Sequence, residues 1–146
     1  MSYIIGTGGE KMESWMEELQ KNAGHILTSK HIENFNDVVY QFKMRFQLIA
    51  DPLIRRDSDF ANCIEDDQSV YFNIYKCSLG LALNGDNEII IDKTAVPGNE
   101  RVPVGKITFN KELGCAVLER DEKKLWLAEN TIDQLFKEAY QKLIEG

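Results

Sequence analysis

The chain has 146 residues, 43% hydrophobic and 28% charged, with a formal net charge of -7. That length suits one domain, the balance is that of an ordinary globular protein, and the acidic excess argues against non-specific nucleic-acid binding, which needs clustered Lys and Arg. No apolar run approaches the ~18 residues of a membrane span and no basic-then-apolar leader marks a secretory signal, so a cytoplasmic protein without membrane partners is expected.

Residues 1–9, MSYIIGTGG, read as a loosely ordered leader, with a single domain over residues 10–146. Its glycines, followed by Glu10 and Lys11, offer a weak phosphate-loop reading. A P-loop needs GxxxxGK[ST], a wide ring of amides with a lysine and a hydroxyl at fixed offsets. Here the loop is too short, Met12 stands where the hydroxyl belongs, and GxGxxG fails at Lys11. No cofactor is expected.

The spacing predicts a first helix from about Glu10 to Ala23, with Met12, Trp15, Met16 and Leu19 on one core-facing side and Gly24 as the stop. A second helix is predicted from Thr28 or Ser29 to about Ala50, ending before Asp51-Pro52. Within it Ile32, Phe35, Val39, Phe42, Phe46 and Ile49 recur at steps of three and four, while Val38, Tyr40, Met44 and Leu48 make the far side apolar as well. Such a helix reads as the central one of the domain, buried on several sides. The alternative is a homodimer through the helix containing Phe35, Phe42 and Phe46.

Residues 51–69 show no periodicity and gather Asp57, Asp59, Glu65, Asp66 and Asp67. The alternating acids and central glycine of a calcium loop are absent, so no metal is expected. These five carboxylates are the candidate partner-binding residues, an irregular acidic loop facing a basic protein.

From Val70 the period becomes two. Val70, Phe72 and Ile74, then Cys77, Leu79, Leu81 and Leu83, form one bent strand or two. Asn84 to Asn87 is a turn, Glu88 to Asp92 a strand, Lys93 to Glu100 a loop, and Arg101 to Phe109 a strand with a bulge at Gly105. Cys115 to Glu119 and Lys124 to Ala128 complete a meander of about five strands, whose short connections make neighbours antiparallel.

The clearest element is a closing helix from Thr131 to Glu145, with Ile132, Leu135, Phe136, Ala139, Tyr140, Leu143 and Ile144 on one face. Thr131 with Gln134 fits a capping box, Asn130 is a rival N-cap, and Gly146 follows the last turn. The fold class expected is α+β: two N-terminal helices, an antiparallel meander, and a C-terminal amphipathic helix packed on the sheet. No motif selects a particular fold family.

His25 and His31 lack metal-ligand spacing, and no GxSxG elbow is present. Cys63, Cys77 and Cys115 are odd in number, form no CxxC, and read as free structural thiols. No catalytic residue is assigned. The function expected is a non-enzymatic protein-interaction module, such as an inhibitor, antitoxin-like or accessory protein, presenting the acidic loop to another protein. The alternative is a small-molecule-binding or enzymatic domain whose pocket, between sheet and helices, is lined by Tyr71, Tyr75, Trp15 and Trp126.

Overall fold

The structure, a computed structural model, describes residues 13–29, 32–94 and 100–146. The leader expected over residues 1–9, the start of the expected first helix, His31 and the side chain of His25 lie outside the described residues. In chain order the elements are α1 (Ser14–Ser29), α2 (Phe35–Arg56), β1 (Ala61–Glu65), β2 (Ser69–Ile74), β3 (Cys77–Asn84), β4 (Glu88–Thr94), β5 (Arg101–Asn110), β6 (Cys115–Arg120), β7 (Lys123–Trp126), α3 (Glu129–Ala139) and α4 (Gln141–Glu145). The α+β class and the antiparallel meander are as the periodicities predict, but the sheet has seven strands rather than about five, ordered β1 to β7.

Two features raise the count: an unexpected strand, and the two-strand form of a segment that could have been one. β1 lies inside the segment expected to be irregular, pairing Ala61 to Glu65 with Ile74 to Val70. Residues 70–83 form two strands because the chain reverses at Tyr75, a non-glycine residue at φ 53. The expected bulge is present beside Gly105: Ile91 pairs with Gly105 and Asp92 with Pro103, leaving Val104 without a partner. Gly105 is needed there, since a Cβ would stand 2.8 Å from the Glu119 carbonyl oxygen.

One face of the sheet holds the core. Phe72, Leu79, Leu81, Ile89, Ile91, Ile107 and Leu118 share it by register and are at most 1% exposed. Burying each such side chain is worth roughly 1.5–3 kcal/mol. α2 and α3 cover this face. Their aromatic rings meet β2 at the centre, with Phe46 and Phe72 centroids 5.2 Å apart and Phe72 and Phe136 edge to face at 5.5 Å. Arg120, at the end of β6, donates to both oxygens of Glu138 on α3 at 2.9 and 2.7 Å.

The helices correct several expectations. α2 starts at Phe35, capped by Asn34, whose side chain accepts from the Asp37 amide at 2.9 Å. It continues through Pro52 to Arg56 instead of ending near Ala50. Proline removes one donor, but Leu48 and Pro52 are both exposed, where water can replace it. Thr28 and Ser29 close α1 rather than opening α2, and Gly24 lies within α1 without the positive φ of a helix stop. The closing helix breaks at Tyr140, and Thr131 stands inside its first turn, accepting from the Ala128 amide at 2.9 Å.

Burial differs from expectation as well. Val38, Phe42 and Phe46 of α2 are buried and Phe35 packs against them, so the seam proposed for a homodimer lies inside the domain. The far side of α2 is not covered: Tyr40, Met44 and Leu48 are exposed. α1 buries none of its described side chains and leaves the core, with Trp15 and Leu19 each 58% exposed. It touches the sheet at β6 and β7, where the Asn22 side-chain oxygen accepts from Trp126 Nε1 at 3.1 Å. Among the described residues no helix is long and apolar enough to cross a membrane.

Candidate functional site

Besides its core-facing stripe, α2 carries a second row, Arg45, Ile49 and Leu53, spaced four apart and flanked by Leu48. That row faces α3 and α4 across a gap that neither helix closes. The result is a groove of about 620 Å³. Phe60, Ile74, Phe136 and Tyr140 line its interior, Leu48, Ile49 and Leu53 form the α2 wall, and Leu143 and Ile144 form the wall from α4. The volume lies within the roughly 300–1,000 Å³ range of natural ligand pockets.

The break at Tyr140 opens the groove. Its backbone leaves helical geometry at φ -104 and ψ 16. The buried phenol donates to the Phe72 carbonyl oxygen on β2 at 2.8 Å, fixing the α3–α4 junction to the sheet. Burial pushes this phenol well above the ordinary tyrosine value, so it stays protonated. A continuous helix would carry Leu143 and Ile144 onward with the core stripe. Instead α4 leaves the sheet, with Leu143 40% and Ile144 57% exposed.

Three charged groups border the apolar surface: Arg45, Asp133 and Lys137. The Arg45 guanidinium is committed to the Asp133 carboxylate, with Nε–Oδ1 2.8 Å and Nη2–Oδ2 2.7 Å, and reaches Glu129 Oε2 at 3.3 Å. It thereby fastens α2 to α3 at one end of the groove. Lys137 has no ion pair among the described residues and is free to meet an occupant. The phenol already donates its proton and the guanidinium already has its carboxylate. The arrangement suits holding an apolar surface rather than moving protons.

The five acidic candidates fall into two groups. Asp57 is the C-cap of α2 and its carboxylate accepts from the Asp59 amide at 3.0 Å. This pair adjoins Phe60 at the groove. Glu65 is the last residue of β1, whose five residues span roughly 16 Å, and Asp66 and Asp67 follow it. Glu65 pairs with Lys43 of α2. Asp66 accepts from the amides of Gln68 and Ser69 at 2.8 and 2.9 Å, and these hydrogen bonds hold its carboxyl below the ordinary value. The five carboxylates therefore do not form one irregular loop.

Tyr71, Tyr75, Trp15 and Trp126, expected to share a pocket, are not brought together. Tyr71 stacks under Arg101 at 4.7 Å, on the sheet face opposite the core. Tyr75 lies against Phe60 with centroids 5.5 Å apart. Trp15 donates to Glu13, and Trp126 to Asn22. The three thiols are free, and burial raises each from its ordinary value, away from the thiolate a nucleophile needs.

Fold and site together define an α+β domain with an apolar surface groove between its helices. Comparisons with protein-family models, with curated proteins and with solved structures found no match to this chain.

Proposed function

We propose that this chain is a non-enzymatic protein-interaction module whose working surface is the groove between α2 and α3–α4. The observation that carries this reading is the open apolar groove: Leu48, Ile49, Leu143 and Ile144 all face solvent in the folded chain. Exposed rows of this kind mark interaction sites when they are contiguous. The occupant is an amphipathic helix of a protein partner. The α2 wall from Arg45 to Leu53 spans about 12 Å at 1.5 Å per residue, the length of two turns of helix laid in a groove. Asp57 and Asp59, next to Phe60, favour a basic residue at that end of the partner helix. Glu65, Asp66 and Asp67 act at longer range by steering a basic partner. The free thiols accord with a reducing, cytoplasmic setting.

The test is fluorescence anisotropy with a labelled amphipathic Leu/Lys helical peptide as the probe. Binding is expected to the wild type and to be lost in Leu48→Glu and Ile144→Glu, both at exposed positions. Asp57→Asn with Asp59→Asn is expected to slow association and flatten its salt dependence. No binding of the peptide by monomeric chain, or binding indifferent to both groove variants, would refute this reading. The groove volume also supports a second reading, a small apolar ligand. A bound dye such as anilinonaphthalene sulfonate, released by Ile144→Glu in a chain that ignores the peptide, would favour it.

A further inference from the structure

We propose that the groove is filled by α1 of a second copy of this chain, two copies exchanging these helices about a two-fold axis. The inference rests on reading the groove as a helix-docking site. α1 is a 16-residue helix with none of its described side chains buried. Helices of that length are marginal in water unless an apolar face finds something to cover. In α1 that face is a ridge of Trp15, Leu19, Ala23 and Leu27 at intervals of four, with Trp15 and Leu19 58% and Leu27 69% exposed and Ala23 half-buried. Ridges of this spacing interdigitate with the same rows on another helix, and α2 presents one as Arg45, Ile49 and Leu53. From Trp15 to Ala23 the ridge spans about 12 Å, the length of the α2 wall.

Charge matches as well as shape. Glu17 and Glu18 flank Trp15 and Leu19, and Lys21 follows within a turn. The groove offers the unpaired Lys137 from α3 and, beside Phe60, Asp57 and Asp59. The chain's own α1 does not reach its own groove. It is held at β6 and β7 through Asn22 and Trp126, whereas the groove borders β1 and β2, roughly 20 Å away across the sheet at 4.8 Å per strand. Reciprocal exchange covers both surfaces on both copies and closes the assembly at two.

The test is sedimentation of the full chain. The wild type is expected at twice the 16.7 kDa chain mass. Leu19→Glu on the ridge and Ile144→Glu in the groove are each expected to weaken self-association by ~30-fold or more, the scale of losing a central anchor, with unchanged circular dichroism. Mixing the two is expected to restore association, since the groove of one and the ridge of the other remain intact. If Leu19→Glu disturbs α1 itself, Trp15→Ser takes its place. A monomeric wild type, variants that still pair, or a mixture that stays monomeric would each overturn the proposal. Leu/Lys peptide binding by a monomeric wild type, lost in Ile144→Glu, would preserve the groove as a helix site while removing the second copy from it. Neither self-association nor peptide binding would remove both.

Discussion

α3 and α1 carry comparable apolar stripes and stand in opposite surroundings. Ile132, Leu135, Phe136 and Ala139 of α3 are buried against the sheet, whereas Trp15, Leu19 and Leu27 of α1 face solvent. The difference lies in what each helix can reach. α3 follows β7 and lies on the apolar face of the sheet beside α2. α1, at the other end of the chain, gains the flank of β6 and β7 and one hydrogen bond to Trp126. An amphipathic period thus tells that a helix has a face to cover, and not that its own domain covers it.

The contrast is sharpened first by charge insertion. Leu135→Asp places an unpaired carboxylate where the side chain is 1% exposed, and is expected to unfold the domain or leave it molten. A thermal melt within a few degrees of wild type would break the account of α3 as a core element.

Next in size is the Arg120–Glu138 link. The Arg120 guanidinium beside Glu138 holds that carboxyl below its ordinary value, against some opposition from burial. Its contribution is therefore present above the unfolded carboxyl range, about pH 4.3, and is lost as pH falls through the folded value. Glu138→Gln is expected to lower stability at neutral pH by about 1–3 kcal/mol and to flatten its decline on acidification. Denaturant melts at a series of pH values check both. An unchanged acid slope would show that other carboxylates carry it.

Tyr140→Phe removes the hydrogen bond to the Phe72 carbonyl and is expected to cost about 1 kcal/mol. Because burial raises this phenol above its unfolded value, its share of stability is present below about pH 10 and fades as pH rises beyond that. The variant should lack that part of the alkaline loss. Trp15→Ala, in chain dilute enough to be monomeric, is the smallest effect, within about 0.5 kcal/mol by denaturant melt. A larger loss would mean that α1 is packed within its own domain after all.

What could be read in advance follows from where each cause lies along the chain. The α3 stripe and the alternation of β2 to β6 are local patterns, and both were legible. β1 was not, because four of its five residues are exposed and it has no alternation to show. The β2–β3 reversal was masked by Tyr75, a residue without turn character, held at positive φ with its ring on Phe60. The break at Tyr140 depends on a carbonyl 68 residues away in β2. The groove is assembled from three separated stretches of chain, and the apolar residues of each, taken alone, look like core. The acidic candidates were visible as a group, but the strand dividing them was not.

The sheet and the helix pair also differ in when they can form. Every strand pairs with its immediate successor, so the meander can close hairpin by hairpin at small loop entropy. α2 and α3 meet across a separation of 88 residues, the distance in sequence between Arg45 and Asp133. At 5–20 residues per second, synthesis of that interval takes roughly 4–18 s, during which the rings of Phe42 and Phe46 await Phe136. A nascent chain therefore holds its central aromatic helix half-covered until α3 is made. In stopped-flow experiments Phe136→Ala should accelerate unfolding and leave refolding near the wild-type rate. Refolding slowed in proportion to the lost stability would place α3 in the folding nucleus instead.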